Sequence, residues 1–198
     1  MVKNLLIKGN LKMGSEVFLF NLPPIKTCTP TKWCLEGDNG KPVCYALKGN
    51  FVFENVKRGA MERFEASKRS DFVESMCVEI EKVHPKYFRF HASGDFYSEE
   101  YVGKVMKIAS QFPDTFFRTT TRRRDLKDAI LELANLPNFI VRESLDTCRT
   151  TPGMGLPFAA LDFLDVVNNK DSYLCPNDCP SCGYHCWENR KNMHFEQH

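Results

Sequence analysis

Apolar residues recur at helical spacing in three stretches of this chain, with short β-favouring runs between them. Phe72, Val73, Met76, Cys77, Ile80 and Val83 form one amphipathic stripe. Tyr101, Val102, Val105, Met106, Ala109 and Phe112 form a second, and Leu126, Ala129, Ile130, Leu133 and Ala134 a third. Ser70 or Asp71 can cap the first helix and His84-Pro85 ends it; Ser98 begins the second and Asp125 opens the third. A further helical pattern starts near Phe51. The intervening runs Val17 to Asn21, Tyr87 to Ala92, Thr115 to Thr120 and Phe139 to Arg142 read as strands, and Leu156 to Val167 as an added helix. Strand alternating with helix implies an α/β fold of four or five parallel strands joined by right-handed crossovers.

Parallel strands bring their C-terminal ends to one rim, where ligands bind. Three such ends here are polar: Ser93-Gly94-Asp95, Thr120-Thr121-Arg122 and Ser144-Leu145-Asp146. Strand-to-helix loops are polar in any protein, yet three on one rim mark the expected pocket.

The chain has 198 residues, enough for one domain over 1–198, with an N-terminal loop over 27–45 and a terminal segment over 172–198 as its special parts. A domain of this size buries roughly 70% of its unfolded surface and needs no disulfide staples. The N-terminal apolar run is too short for a signal peptide, and no stretch approaches the roughly 20 apolar residues of a membrane span. These features predict a cytoplasmic protein with reduced thiols and no membrane partner. The net charge of +2 implies no global pull toward nucleic acid. The local run Arg122-Arg123-Arg124, with Arg118 and Lys127 nearby, reads either as a solvated helix start or as an anion site.

Seven of the nine cysteines fall into two groups: Cys28, Cys34 and Cys44, then Cys175, Cys179, Cys182 and Cys186. In a reducing compartment such groups predict metal ligands. Structural zinc commonly uses two cysteine pairs a dozen or more residues apart, whereas the terminal four crowd one short segment, as in iron–sulfur proteins. Pro176 and Pro180 bias Cys175 and Cys179 toward extended backbone, which suits a loop wrapped round a cluster. His185 lies within the run, as an alternative ligand or a neighbour, and Trp187 can shield the site from water. The first group offers three thiols, enough to hold a four-iron cube with one iron open. Cys148, His91 or the second group could instead supply a fourth ligand. Gly37, Asp38, Asn39 and Gly40 predict a turn inside that loop. Cys77 belongs to its helical stripe and is expected in the core.

Several segments resemble the phage "gene product 88" family: Lys12-Met13-Gly14, Asn21-Leu22-Pro23, Thr27-Cys28, Cys44 to Asn50, Phe88 to Phe96, and Cys182 with Cys186-Trp187. That resemblance implies a phage-encoded protein in the host cytoplasm. The chain is also distantly similar to radical S-adenosylmethionine (SAM) enzymes, in which three loop cysteines hold a cube whose open iron is chelated by SAM. The three-cysteine loop here is longer than theirs. That resemblance implies a reduced, partial parallel β/α barrel. It also implies cofactor contacts from Ser93, Gly94, Asp95, Thr121, Arg122 and Ser144, with Thr119 beside them. The terminal cysteines would hold an auxiliary cluster.

Together these features lead to an iron–sulfur protein with two 4Fe-4S clusters and redox or radical-SAM-like chemistry at the three-cysteine site. An electron donor would be its partner and SAM a small-molecule cofactor. The alternatives are an electron carrier or redox sensor with fully ligated clusters, and a zinc-stabilised interaction module touching nucleic acid through Arg122 to Arg124.

Overall fold

The computed structural model describes residues 5–37, 39–167 and 171–196. Asp38 of the expected turn lies outside them, as do the ends of the 1–198 and 172–198 ranges. The strands are β1 (Ile7–Lys8), β2 (Val17–Phe20), β3 (Tyr87–Phe90), β4 (Phe116–Thr121), β5 (Phe139–Ser144), β6 (Phe158–Leu161), β7 (Ser172–Leu174) and β8 (Asn192–Phe195). The helices are α1 (Lys32–Glu36), α2 (Glu54–Lys68), α3 (Phe72–Val83), α4 (Glu99–Gln111), α5 (Lys127–Ala134) and α6 (His185–Glu188).

All eight strands form one sheet in the order β1-β2-β3-β4-β5-β6-β8-β7. β1 runs antiparallel to β2, and every other pairing is parallel. The sheet is open: β1 and β7 are its two ends. The count of four or five strands was too low, and the segment 156–167 forms β6 where a helix was expected. Phe158, Ala159, Ala160 and Leu161 are all buried. A short run covered on both faces carries no alternation to separate strand from helix.

From β2 to β5 the strand order follows the chain, so the right-handed crossovers bring α3, α4 and α5 to one face. That face is aromatic. Phe20, Phe88, Phe90, Phe117 and Phe139 pack against Met76, Ile80, Val105, Ile108 and Ile130, with Cys77 buried among them. The Phe117 and Phe139 rings stack at 5.8 Å, and Phe88 meets Phe117 at 5.5 Å. The Ser98 hydroxyl caps α4 by accepting from the Tyr101 N–H at 3.2 Å. Asp71 sits at the N-cap of α3 without a side-chain capping bond, its carboxylate taken by Arg69 Nε at 2.8 Å. His84 ends α3 in the left-handed region at φ 44°.

Side chains alternate across a strand, so the residues between these phenylalanines face the other way. Tyr87 and Arg89 of β3, Arg118 of β4 and Arg142 of β5 lie on that second, inner face. The terminal segment covers it, packing Cys186, Trp187 and Met193 against Val17 and Tyr87. Trp187 is anchored by its indole N–H to the Phe88 carbonyl at 3.0 Å.

Candidate functional site

The N-terminal cysteines assemble at the rim. Thr31 caps α1 by accepting from the Cys34 N–H at 3.3 Å, and its hydroxyl donates to Asp146 Oδ2 at 2.7 Å. The loop then folds back, so that the Val43 and Cys44 N–H groups both donate to the Cys34 carbonyl at 3.2 Å. Next to Cys28, Thr27 bonds the Pro23 carbonyl at 2.9 Å and accepts from the Asp95 N–H at 3.2 Å. Arg122 reaches in from the end of β4: Nη1 donates to Cys34 Sγ at 3.2 Å and Nη2 lies 3.3 Å from Asp146 Oδ2. Its buried Nε has no partner. Burial, and then the Asp95 charge, push the Cys28 thiol up to about 12; burial also raises Cys44.

The residues expected to contact a cofactor hold this rim together. Asp95 accepts from Thr121 Oγ1 at 2.7 Å, the Phe96 N–H at 2.7 Å and the Arg122 N–H at 2.9 Å. Burial raises its pKa, and the Arg122 N–H, the Thr121 hydroxyl and the Phe96 N–H work against that rise. Ser93 Oγ donates to the Leu22 carbonyl at 2.9 Å. Gly94 adopts φ +81°, and a Cβ there would lie 2.6 Å from Leu22 Cβ and 2.7 Å from Thr27 Oγ1. Only glycine fits this crossing of two loops. Thr119 is buried with its hydroxyl unpartnered. Ser144 pairs with Ala159 at the end of β5 and shares the face of Arg142.

The C-terminal cysteines gather on the inner face. The Cys175 N–H donates to the His194 carbonyl and the Cys179 N–H to the Lys12 carbonyl, each at 2.8 Å, fixing the segment at two points. Beneath it lie three arginines. Arg89 and Arg118 are direct neighbours on β3 and β4. Arg142 stands on β5, whose Thr120 partner is two residues beyond Arg118. Arg142 is held by carbonyls of the segment: Cys186 at 2.8 Å, Asn189 at 2.7 Å and Lys191 at 3.0 Å. Arg118 is only 8% exposed, its Nε has no partner, and its guanidinium stacks 4.6 Å from the Trp187 ring. Among the described residues none of the three arginines is paired with a carboxylate. Burial works against the Arg118 cation, and the thiols of Cys186, Cys179 and Cys175, with Tyr173, more than offset it. Reciprocally, burial pushes the Cys186 thiol up, but Arg118, the Tyr173 hydroxyl at 3.2 Å, Arg142 and Arg89 hold it below the usual range. Cys179 rises to about 11 through burial.

Among the described residues no three Cys, His, Asp or Glu side chains converge closely enough to share a single ion. On the inner face the thiols differ: Cys186 is held below the usual range, while burial raises Cys175 and Cys179. A buried guanidinium with an orphaned N–H and no carboxylate needs negative charge beside it, and four cysteines are what the chain provides there.

A family model described as Gene product 88 matches residues 3–159. The chain belongs to the gene product 88 family. It is 26% identical to the Gene 88 protein of Mycobacterium phage D29 and 24% identical to that of Mycobacterium phage L5, in each case over 77% of both chains. No solved structure matches. The family match spans Cys28, Cys34, Cys44, Asp95, Arg122 and Asp146, the whole rim site. It stops before Cys175, so the resemblance of Cys182 and Cys186-Trp187 to the gene product 88 family rests on those residues alone. No helix among the described residues is long and apolar enough to cross a membrane.

The remaining expected residues have other duties in this family member. His91 donates or accepts at 2.8 Å with the Tyr101 hydroxyl, wedged between the Phe20 and Phe96 rings on the helix face. It is a core histidine, away from the thiols. Cys148 is exposed, with its N–H on Asp146 Oδ1 at 2.9 Å. His185 is exposed beside the Tyr173 ring. The basic run is spent internally: Arg122 on Cys34 and Asp146, Arg123 on Asp125 at 2.6 Å, Arg124 on Glu143 at 2.6 Å. Sequence reasoning placed Asp146 at the rim but gave it no role, and it missed Thr31 and the arginines Arg89 and Arg142. The signal was available: Arg89, Arg118 and Arg142 each interrupt an apolar strand, and arginine is almost never buried without a partner.

Proposed function

We propose that this protein is an iron–sulfur protein of the cytoplasm, with one cluster at Cys28, Cys34 and Cys44 and another at Cys175, Cys179, Cys182 and Cys186. The reading is carried by Arg118, a buried cation with an unsatisfied N–H and thiols for neighbours. Leaving such a charge unpaired costs several kcal/mol. A cluster bound by thiolates supplies both negative charge and reversible one-electron chemistry. Cys175, Cys179, Cys182 and Cys186 would hold it, Arg118 and Arg142 would neutralise it, and Trp187 would exclude water. At the rim, Cys28, Cys34 and Cys44 would bind, and Arg122 would donate to Cys34 Sγ while anchored by Asp146.

Electron carriage is the reading the rim geometry supports best, because Asp95 and Thr121 already use their polar groups on each other and the Ser93 hydroxyl is spent on the Leu22 carbonyl. A second reading, a small molecule such as SAM at an open iron, is favoured by the buried, unpartnered Nε of Arg122. Anaerobic reconstitution followed by iron, sulfide and zinc quantification tests the proposal, with about eight irons per chain expected for two four-iron cubes. Stoichiometric zinc without sulfide overturns it in favour of a zinc-stabilised module, for which salt-dependent nucleic-acid binding is then measured. SAM added to the reduced protein separates the two iron readings: cleavage marks the enzyme and its absence the carrier.

A further inference from the structure

We infer that the inner face of the sheet binds phosphate, free or as the group of a small phosphorylated molecule, between Arg89 of β3 and Arg118 of β4, two neighbouring guanidiniums that no carboxylate among the described residues neutralises. The inference goes beyond the iron–sulfur reading and does not rest on it. The terminal thiols border this place, and none of them is asked to hold the ligand.

Arg89 and Arg118 are Cα partners, so their side chains leave one face of the sheet from strands about 4.8 Å apart. Like charges that close repel one another. Burial lowers the Arg89 pKa; Tyr45 opposes that, and the Arg118 charge adds to it. Arg118 is 8% exposed and its Nε is buried without a partner. Beyond its stacking on Trp187, its guanidinium donates no hydrogen bond among the described residues. Arg89 is half-buried; its Nε reaches the His91 carbonyl at 3.2 Å and Nη2 the Tyr45 hydroxyl at 3.4 Å, which leaves Nη1 free. Thr120 and Ser144 follow Arg118 and Arg142 by two residues on the same face and are also half-buried. Neither hydroxyl makes a hydrogen bond among the described residues. The Tyr45 ring at this edge is 45% exposed, so a ligand can reach Arg89 past it.

Charge selects the ligand. Arg89, Arg118 and Arg142 bring three positive charges, and two remain even with Cys186 ionised. Carbonyls of the terminal segment fix Arg142 in place, so it adds charge from a set position. The acids of that segment are turned elsewhere: Glu188 Oε1 accepts from the Tyr87 hydroxyl at 2.5 Å, and Asp178 Oδ2 from the Ser181 N–H at 3.2 Å. A carboxylate would bring one negative charge, whereas a phosphate brings about −1.5 to −2 at neutral pH, with three acceptor oxygens. The guanidinium fork meets such oxygens two at a time. Arg118 and Arg89 supply the forks, and the Thr120 hydroxyl a further donor.

The test is calorimetric titration of the metal-free full chain with inorganic phosphate, adenosine monophosphate and acetate at constant ionic strength. Iron, sulfide and zinc are quantified on the same sample, so the result is read apart from whatever the cysteines hold. Saturable one-to-one binding of phosphate or of the nucleotide is expected, with a dissociation constant of about 1 mM or below. Tighter binding of the nucleotide identifies an organic phosphate as the ligand, and the reverse order the free ion. Acetate should bind at least tenfold more weakly. Arg118→Met and Arg89→Met should each weaken phosphate binding at least tenfold. If Arg118→Met does not accumulate, Arg89→Met, at a half-buried position, carries the test. Arg190→Met removes a guanidinium held by the Ala134 and Leu136 carbonyls at 2.8 Å and should leave the affinity unchanged. No saturable binding of either phosphate, acetate bound as tightly as phosphate, or wild-type affinity in Arg89→Met overturns the inference.

Discussion

At the rim, the guanidinium nearest a thiol is also paired: Arg122 touches Cys34 Sγ at 3.2 Å and Asp146 at 3.3 Å. On the inner face, Arg118 stacks on Trp187 and is paired with no acid among the described residues. The rim guanidinium has a carboxylate within the protein, although its Nε stays without a partner. A metal at the first site would join a guanidinium already paired, whereas one at the second would meet a guanidinium that is not.

The largest expected effect is on metal content. Replacing Cys179 and Cys186 by serine should remove about half of the bound iron, and replacing Cys34 and Cys44 the other half, read by chemical iron analysis. Loss of all the iron in either double variant would mean that the regions are one site. Next, Arg122→Leu leaves Asp146, fully buried, without its cation. It should cost about 3 kcal/mol by urea denaturation, with or without metal. Gly94→Ala sharpens the contrast further, because it strains the crossing of the rim loops alone. It should destabilise by about 2 kcal/mol and loosen metal at Cys28, Cys34 and Cys44 before the terminal four.

His91 provides a pH reference outside both thiol groups. Burial first, and the Arg89 charge second, depress its folded pKa to about 3. The unfolded chain therefore binds this proton more readily, so stability is complete above about pH 6.5 and declines as the pH falls toward 3. In metal-free protein the slope should be about 1.4 kcal/mol per pH unit, and His91→Gln should abolish it. The smallest effect reverses sign. Arg118→Met should stabilise the metal-free protein by about 1 kcal/mol, since a buried cation with no carboxylate partner among the described residues is replaced by an apolar side chain. The same change should destabilise the loaded protein. Destabilisation in both forms, read by thermal melting, would end the distinction between the two regions.

The helical stripes of α3, α4 and α5 were legible because each repeats over several turns. Strands β2 to β5 were legible because aromatic and β-branched runs stood between those helices. β1, β6, β7 and β8 were not: they are two to four residues long, and no helical stripe adjoins them to set them off as one does β3, β4 and β5. The cysteine groups announced themselves by spacing alone. Their surroundings did not, because Asp146, Thr31 and Cys34 meet only through β4–β5 pairing and a cap over a hundred residues away. The rim motif Ser93-Gly94-Asp95 was found in the right place, yet its hydrogen bonds turn inward. Local sequence marks a polar corner without revealing which way its donors point.

β8 is wedged between β6 and β7, so the penultimate strand of the sheet in space is made after the edge strand beside it. Cys175 and Cys186 reach the arginines only after residues beyond them have threaded into place. The rim thiols also wait for later residues: Cys34 and Cys44 pack with Phe158, Leu161 and Leu164, and Phe195 of β8 adjoins the same apolar cluster. A growing chain would therefore complete neither pocket before β8 is made.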